Sequence, residues 1–192
     1  MKHIKNLRPE PLLFCLVLML GLGGCATYKP VGDAFYAELK KPYVLDAGDR
    51  LRITVFGQSD LTNTYAVEKS GYIAFPLLGS VQARGKTPKQ VEGNIAKQLK
   101  SKFLRNPDVS AEIDRYRPFF IMGEVGTSGQ YAYVPGMTVQ NAVAIAGGFS
   151  ARAEQANSDV TRHVNGNVMT GRVSIGDPIL PGDTVYIRER LF

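Results

Sequence analysis

The chain has 192 residues, including 23 Lys or Arg, 17 Asp or Glu, 20 Gly and two Cys, and 44% of its residues are hydrophobic. This composition is typical of one or two folded domains and excludes a disordered or collagen-like chain. Two cysteines cannot build a disulfide scaffold, and two cysteines and two histidines spread along the chain cannot form a zinc ribbon.

The first 24 residues have the pattern of a removable signal. Three cations precede an apolar run at Pro11 to Leu22, which is shorter than the ~20 residues that a membrane-spanning helix needs. The run leads into Leu22-Gly23-Gly24-Cys25, which resembles the lipobox of bacterial lipoproteins. We therefore expect cleavage before Cys25 and attachment of lipid to its sulfur; the alternative is a secretory signal followed by an ordinary cysteine. Ala26 comes next, which resembles the sorting pattern for the outer membrane and predicts an anchor at its periplasmic face, with the inner membrane as the alternative.

The mature chain offers few groups for chemistry. Without the signal, and with lipid on Cys25, it has no free thiol, a single histidine at position 163, and a net charge reduced from +6 to +4. A Cys/His pair, a Ser/His/Asp triad and a His-rich metal site are then disfavoured. We expect no catalytic residue, no metal, no cofactor and no nucleic-acid partner, and no substrate-binding side chain can be named.

Residues 25–42 are interpreted as the lipidated cysteine and a tether, since Pro30 and Gly32 interrupt a stretch without periodicity. A first folded unit is predicted over 43–114. Alternating apolar residues at 51, 53 and 55 predict a half-buried strand. The segments 65–67 and 72–75 flank Ser70-Gly71 and are predicted to form a hairpin, with 77–81 continuing the sheet.

A helix follows in the first unit. Thr87-Pro88-Lys89-Gln90 has the form of a capping box with Pro at the first helical position. Apolar residues then recur every fourth position, which predicts one stripe packed on the sheet: Val91, Ile95, Leu99 and Phe103. Asn106-Pro107 ends the helix, and alternation over 109–113 predicts a closing strand.

Six cations on and around this helix are interpreted as a solvated face, and an anion-binding surface is the alternative. They are Lys86, Lys89, Lys97, Lys100, Lys102 and Arg105.

The second unit is predicted over 115–192. It begins with a strand at 119–125, a glycine-rich turn and a strand at 130–134. Thr138 then begins a short helix over 139–146, which Gly147-Gly148 ends. A last strand is predicted at 183–188.

Two segments share the pattern Gly-Asp-x-apolar-x-Ile and begin at Gly48-Asp49 and Gly182-Asp183. We interpret all four residues as structural turns, because glycine supplies the turn conformation and aspartate bonds neighbouring amides. The alternative is catalytic, with Asp46 and Asp49, or Asp49 and Asp183, as the paired carboxylates of a glycoside-cleaving enzyme.

The residues of the first unit resemble a known family. The segments 43–57, 71–79 and 106–109 look like the polysaccharide biosynthesis/export domain of the outer-membrane polysaccharide export (OPX) lipoproteins of the Wza type. The second unit is similar to the SLBB (soluble ligand-binding β-grasp) domain that follows it in that family, at 123–125, 135–138 and 146–149. The fold expected is α+β, with a small helix-on-sheet export domain followed by a β-grasp-like SLBB domain.

This resemblance implies export of capsular or exopolysaccharide by a lipid-anchored periplasmic ring. The partners it implies are further copies of the chain, in octamers in the best-known members, an inner-membrane polysaccharide co-polymerase, and the polysaccharide as cargo. Only residues 188–192 remain at the end of the last predicted strand, whereas long members continue into a helix that crosses the outer membrane. We therefore expect a separate outer-membrane β-barrel to provide the final passage. The functional alternatives are a glycan-binding structural lipoprotein and a polysaccharide-modifying enzyme.

Overall fold

The computed structural model describes residues 32–164 and 166–191. The predicted signal, the lipobox and Cys25 lie outside the described residues. The elements of the first half are, in chain order, α1 (Asp33–Ala37), a 3-10 turn (Glu38–Lys40), β1 (Arg50–Val55), a 3-10 turn (Ser59–Leu61), β2 (Asn63–Ala66), β3 (Tyr72–Phe75), β4 (Gly79–Gln82), α2 (Pro88–Lys102) and β5 (Val109–Arg115). Those of the second half are β6 (Phe119–Gly123), β7 (Gly129–Tyr131), α3 (Val139–Ile145), β8 (Asn157–Val164), β9 (Asn167–Ser174) and β10 (Thr184–Ile187).

The first domain packs one helix against a small antiparallel sheet. The strand order is β2-β1-β5, and β3 and β4 form a separate two-stranded hairpin. Helix α2 begins with the predicted capping box, in which the Gln90 N–H donates to Thr87 Oγ1 at 3.2 Å and the Thr87 N–H donates to Gln90 Oε1 at 3.0 Å. Its residues Val91, Ile95 and Leu99 are fully buried in the core of this domain.

The second domain contains a five-stranded sheet in the order β7-β6-β10-β8-β9. Strands β6 and β10 are parallel, and the other neighbours are antiparallel. Helix α3 is capped by Thr138, whose hydroxyl accepts from the Asn141 N–H at 3.3 Å. Its buried residues Val139, Ala142 and Val143 join the core of this domain. The two domains together confirm the predicted α+β class.

Two local predictions in the first domain differ from the structure. Ser70-Gly71 forms the predicted turn, across which the Glu68 N–H donates to the Tyr72 carbonyl at 2.9 Å, but β2 pairs with β1 and β3 with β4, so the two flanking strands are not paired with each other. Here the Gly71 N–H donates to the Glu68 carbonyl at 2.8 Å. Phe103 was expected on the buried stripe, but α2 ends one residue earlier and the Phe103 side chain is 46% exposed.

Two errors concern the second domain. The predicted strand at 130–134 is β7, which ends at Tyr131. The long hairpin of β8 and β9 was not predicted at all, although the dipeptide Asn165-Gly166 between two alternating segments is a standard hairpin signal.

The predicted tether is wrong for its second half. Helix α1 and the following 3-10 turn occupy residues 33–40, and the Phe35 side chain is buried in the core of the second domain. Tyr36 also donates its hydroxyl to Asp177 Oδ2 at 2.9 Å. One buried aromatic ring therefore fixes a segment that has too few apolar residues to show periodicity.

Candidate functional site

The two Gly-Asp segments form the same turn in the two domains. At the first, the Asp46 N–H donates to Asp49 Oδ2 at 2.8 Å; at the second, the Leu180 N–H donates to Asp183 Oδ2 at 2.7 Å. The preceding glycines have φ +94° at Gly48 and φ +86° at Gly182, a region that side chains disfavour. Each aspartate thus accepts from the amide three residues before it and then enters a strand.

Asp49 is fully buried and has several donors. The Tyr43 hydroxyl donates to its Oδ2 at 2.7 Å. The Arg117 N–H donates to Oδ1 at 2.8 Å, and Arg117 Nη1 donates to Oδ2 at 3.2 Å and to the Tyr43 oxygen at 2.8 Å. Burial raises the pKa of Tyr43 well above its ordinary value, and the neighbouring Asp49 carboxylate adds to that rise against the opposing charge of Arg117. The Asp49 carboxylate therefore accepts hydrogen bonds from three residues, Tyr43, Asp46 and Arg117.

Asp183 has an equivalent arginine in the second domain. Arg162 Nε donates to Oδ1 at 3.0 Å and Arg162 Nη2 donates to Oδ2 at 2.6 Å, and both residues are buried. Arg162 Nη1 donates to the Phe35 carbonyl at 3.1 Å, and its guanidinium carbon lies 4.2 Å from the centre of the Phe35 ring. Burial raises the pKa of Asp183, and the hydrogen bonds from Arg162 oppose that rise.

Arg117 joins the two turns. It lies in the connection between the domains, at Asp49 of the first domain, and its side chain also reaches the turn of the second. A Cβ atom added to Gly182 would lie 2.7 Å from Arg117 Nε, and one added to Gly48 would lie 3.3 Å from the Arg117 Cβ. The two glycines therefore make room for Arg117, which contacts the turns of both domains.

A cleft of about 330 Å³ opens beside these turns. Arg84 lies at its rim, where its Nε donates to Asp46 Oδ1 at 2.7 Å and its Nη2 donates to the Lys69 carbonyl at 3.0 Å. Burial alone would raise the pKa of Asp46, but the Ala47 N–H and Arg84 outweigh it and hold that pKa below its ordinary value. The lining residues are Asp46, Ala47, Arg84, Arg117, Arg162, His163, Leu180, Pro181, Gly182 and Asp183.

This arrangement suits structural pairing better than acid–base catalysis. A glycosidase needs one carboxylic acid and one carboxylate that both reach the sugar. Asp49 and Asp183 are 0% and 1% exposed and bind arginines, and Asp46 is ionised and engaged by Arg84. Each of these three carboxylates is therefore engaged by an arginine, which favours the structural interpretation of the two turns.

Sequence reasoning placed both aspartates in turns but missed their partners. Arg117 is 68 positions from Asp49, and Arg162 is 21 positions from Asp183. No spacing rule connects residues at such separations, so only the folded structure brings them together.

Two further observations apply to residues 32–164 and 166–191. None of the helices in these ranges combines the length and the apolar character needed to cross a membrane. Within the same ranges, no group of three or more His, Cys, Asp or Glu side chains is arranged to hold a metal ion.

Comparison with known proteins identifies both domains. Residues 37–114 match the family described as polysaccharide biosynthesis/export protein, and residues 118–173 match the SLBB domain. The chain is 33% identical over 135 residues to the exopolysaccharide production protein ExoF of Rhizobium meliloti, across 64% of this chain and 32% of that protein. It is 23% identical over 156 residues to the polysialic acid transport protein KpsD of Escherichia coli, across 73% of this chain and 28% of that protein.

The matched regions span about a third of the length of these curated relatives. Their order along the chain is the one that the fold shows, since the first match coincides with the helix-on-sheet domain and the second begins at the five-stranded sheet. The chain therefore belongs to the polysaccharide export (OPX) family, with one polysaccharide biosynthesis/export domain and one SLBB domain.

Proposed function

We propose that this protein is a lipid-anchored subunit of a periplasmic ring that carries capsular polysaccharide or exopolysaccharide through the cell envelope. The main support is the pairing of an export domain with an SLBB domain through the buried contact of Arg117 with Asp49. A closed ring needs subunits that repeat one head-to-tail contact with a fixed rotation. A subunit whose two domains are fastened together satisfies that requirement.

The relatives support the cargo class. One is named for exopolysaccharide production and the other for polysialic acid transport. The cargo proposed here is accordingly a polysaccharide chain, and the partner that supplies it is an inner-membrane polysaccharide co-polymerase.

The anchor is proposed at Cys25, on the basis of the motif Leu22-Gly23-Gly24-Cys25. Stable membrane attachment takes two or more acyl chains, which a lipidated and acylated N-terminal cysteine provides. Ala26 favours the outer membrane. Replacement by Cys25→Ser should move the protein from the membrane fraction to the soluble fraction, and mass spectrometry of the wild-type N-terminal peptide should find the added lipid.

The protein is proposed to act by assembly rather than as an enzyme. The carboxylates that a glycosidase mechanism would use are buried or paired with arginine, as described above. A ring of such subunits provides a path for the polymer and leaves its covalent bonds unchanged.

Electron cryomicroscopy of the detergent-extracted protein tests the ring directly. Closed rings with a central channel are the expected result, and particles that remain monomeric at membrane-like concentrations would contradict it. A deletion strain tests the function, because loss of an export component stops polysaccharide from reaching the surface. Normal surface polysaccharide in that strain would favour a structural glycan-binding lipoprotein instead.

A further inference from the structure

The strongest unassigned feature is the charge on helix α2 and its flanks. Residues 86–105 contain six Lys or Arg and a single acidic residue, Glu92. Within the described ranges, the ion pairs include one from this group of cations, between Lys89 and Glu92. The other cations have no carboxylate within ion-pair distance there, and they are exposed: Lys86, Lys97, Lys100, Lys102 and Arg105.

Two of these lysines line an open groove. Lys97 and Lys100 are three positions apart and therefore share one face of the helix. With Ala96 they face the segment Asn106-Pro107-Asp108 across a groove of about 520 Å³. The groove is open along the surface. Small molecules are usually bound in enclosed pockets, so this shape suits a segment of an extended chain better.

The charges in the groove select an anionic occupant. Its lining contains two ammonium groups and one carboxylate, that of Asp108. A membrane surface would be a poor match, because helices that bind membranes expose an apolar face. Helix α2 turns its apolar stripe of Val91, Ile95 and Leu99 into the core instead.

We infer that the groove beside α2 binds an acidic polysaccharide, with Lys97 and Lys100 contacting the carboxylates of successive sugars. This inference rests on the proposed function and specifies the chemical class of its cargo. Exposed ion pairs contribute little individually. A polymer that is being transported has to enter the site and leave it again, so several weak contacts suit it better than one strong contact. Conduction of ions through channels requires the same balance.

The test uses the full-length lipidated protein in detergent. Binding of polygalacturonate oligosaccharides is measured by calorimetry and compared with binding of dextran oligosaccharides, which are neutral. The double variant Lys97→Gln/Lys100→Gln removes the two charges at exposed helix positions. The matched control Lys40→Gln/Lys69→Gln removes two charges from exposed positions elsewhere.

The double variant should bind polygalacturonate roughly fivefold more weakly than the control, the size expected for two exposed ion pairs. Binding by the wild type should weaken as salt rises from 0.05 to 0.5 M, because the screening length falls below about 10 Å. Equal affinity of the double variant and the control, or equal affinity for dextran and polygalacturonate, would overturn the inference. Binding of both variants to phosphatidylglycerol vesicles is measured separately, without detergent. If the double variant loses affinity for these vesicles but not for polygalacturonate, the lysines bind a membrane and the inference is overturned.

Failure of this inference can be distinguished from failure of the proposed function. If the deletion strain still displays surface polysaccharide, the proposed function fails whatever the binding result. If the wild-type protein restores export while the double variant binds polygalacturonate as well as the control, only the groove assignment fails.

Discussion

Arg117 donates hydrogen bonds to the Asp49 carboxylate from both its main chain and its side chain. Its backbone N–H lies 2.8 Å from Oδ1, and its Nη1 lies 3.2 Å from Oδ2. Asp49 directly precedes the first strand of the export domain, and Arg117 lies two residues before the first strand of the SLBB domain. This contact thus sets the orientation of one domain relative to the other. It also explains why an aspartate directly after a turn glycine is fully buried.

Replacement of Asp49 by asparagine should destabilise the protein strongly. Both carboxylate oxygens of Asp49 accept hydrogen bonds from buried donors. Asparagine replaces one of these oxygens with an NH₂ group, which cannot accept, so at least one buried donor would lose its acceptor. We expect the free energy of unfolding to fall by about 2–3 kcal/mol. Urea unfolding followed by circular dichroism measures the change. The control Asp60→Asn alters an exposed carboxylate that accepts from Ser59 at 3.4 Å, and it should leave the midpoint unchanged.

Replacement of Phe35 by alanine should unfold or loosen the SLBB domain, although Phe35 lies far from it in sequence. The ring is 1% exposed and packs against the Arg162 guanidinium. Loss of a buried phenylalanine costs about 3–5 kcal/mol. The same truncation at the exposed Val44 should have little effect on the unfolding midpoint. If both variants melt like the wild type, Phe35 contributes nothing to the core.

Two glycines with positive φ should respond differently to alanine. A Cβ atom at Gly123 would lie 2.1 Å from the Ile187 carbonyl oxygen, where β6 and β10 pair, whereas one at Gly136 would meet nothing within 4 Å. Gly136→Ala therefore pays only the conformational cost of about 1–2 kcal/mol. Gly123→Ala should cost several kcal/mol more, because backbone must move. Similar thermal midpoints for the two variants would contradict the strand pairing at this position.

A stabilising substitution is expected in α2. Gly93 lies inside the helix with no heavy atom within 4 Å of an added Cβ. Alanine there should raise the free energy of unfolding by about 0.5–1 kcal/mol, through higher helix propensity and a less flexible unfolded chain. Gly57 has equal space but φ +74°. The same change at Gly57 should lower the free energy of unfolding, because alanine disfavours a positive φ. If both substitutions change the free energy of unfolding in the same direction, backbone φ does not account for the difference between the two positions.

The Asp46–Arg84 pair should make stability depend on pH in one direction. The pKa of Asp46 is lower in the folded protein than in the unfolded chain. Its ionisation therefore stabilises the fold fully above about pH 4, the ordinary aspartate value, and this contribution disappears as pH falls through the lower folded value. The difference in urea midpoint between wild type and Asp46→Asn should be largest near neutral pH and shrink in acid. A difference that grows toward acid would contradict the assigned direction.

Local signals explain which elements could be predicted. Helix α2 was recognised because its start, its apolar period and its end are all encoded by neighbours within four positions, and Thr138 begins α3 in the same way. The hairpin of β8 and β9 was missed although Asn165-Gly166 indicated it. Its β8 strand carries Ser158, Asp159 and Arg162 at buried positions, so the usual apolar alternation is obscured.

The site depended on contacts that no local rule provides. The roles of Arg117 and Arg162 appear only when the chain brings two turns and two domains together. The Phe35 insertion was equally hidden, since the segment around it, with Ala34, Tyr36 and Ala37, is too short to show an apolar period. The local sequence pattern identified the two Gly-Asp turns, and only the long-range packing showed which arginines bind their aspartates.

The docking of α1 onto the SLBB domain also limits how high the protein stands above its membrane. With lipid on Cys25 as proposed, only residues 26–32 lie between the anchor and the start of α1. Seven residues span at most about 25 Å when fully extended. The SLBB surface that holds Phe35 would then lie within about that distance of the anchor in every subunit of the proposed ring.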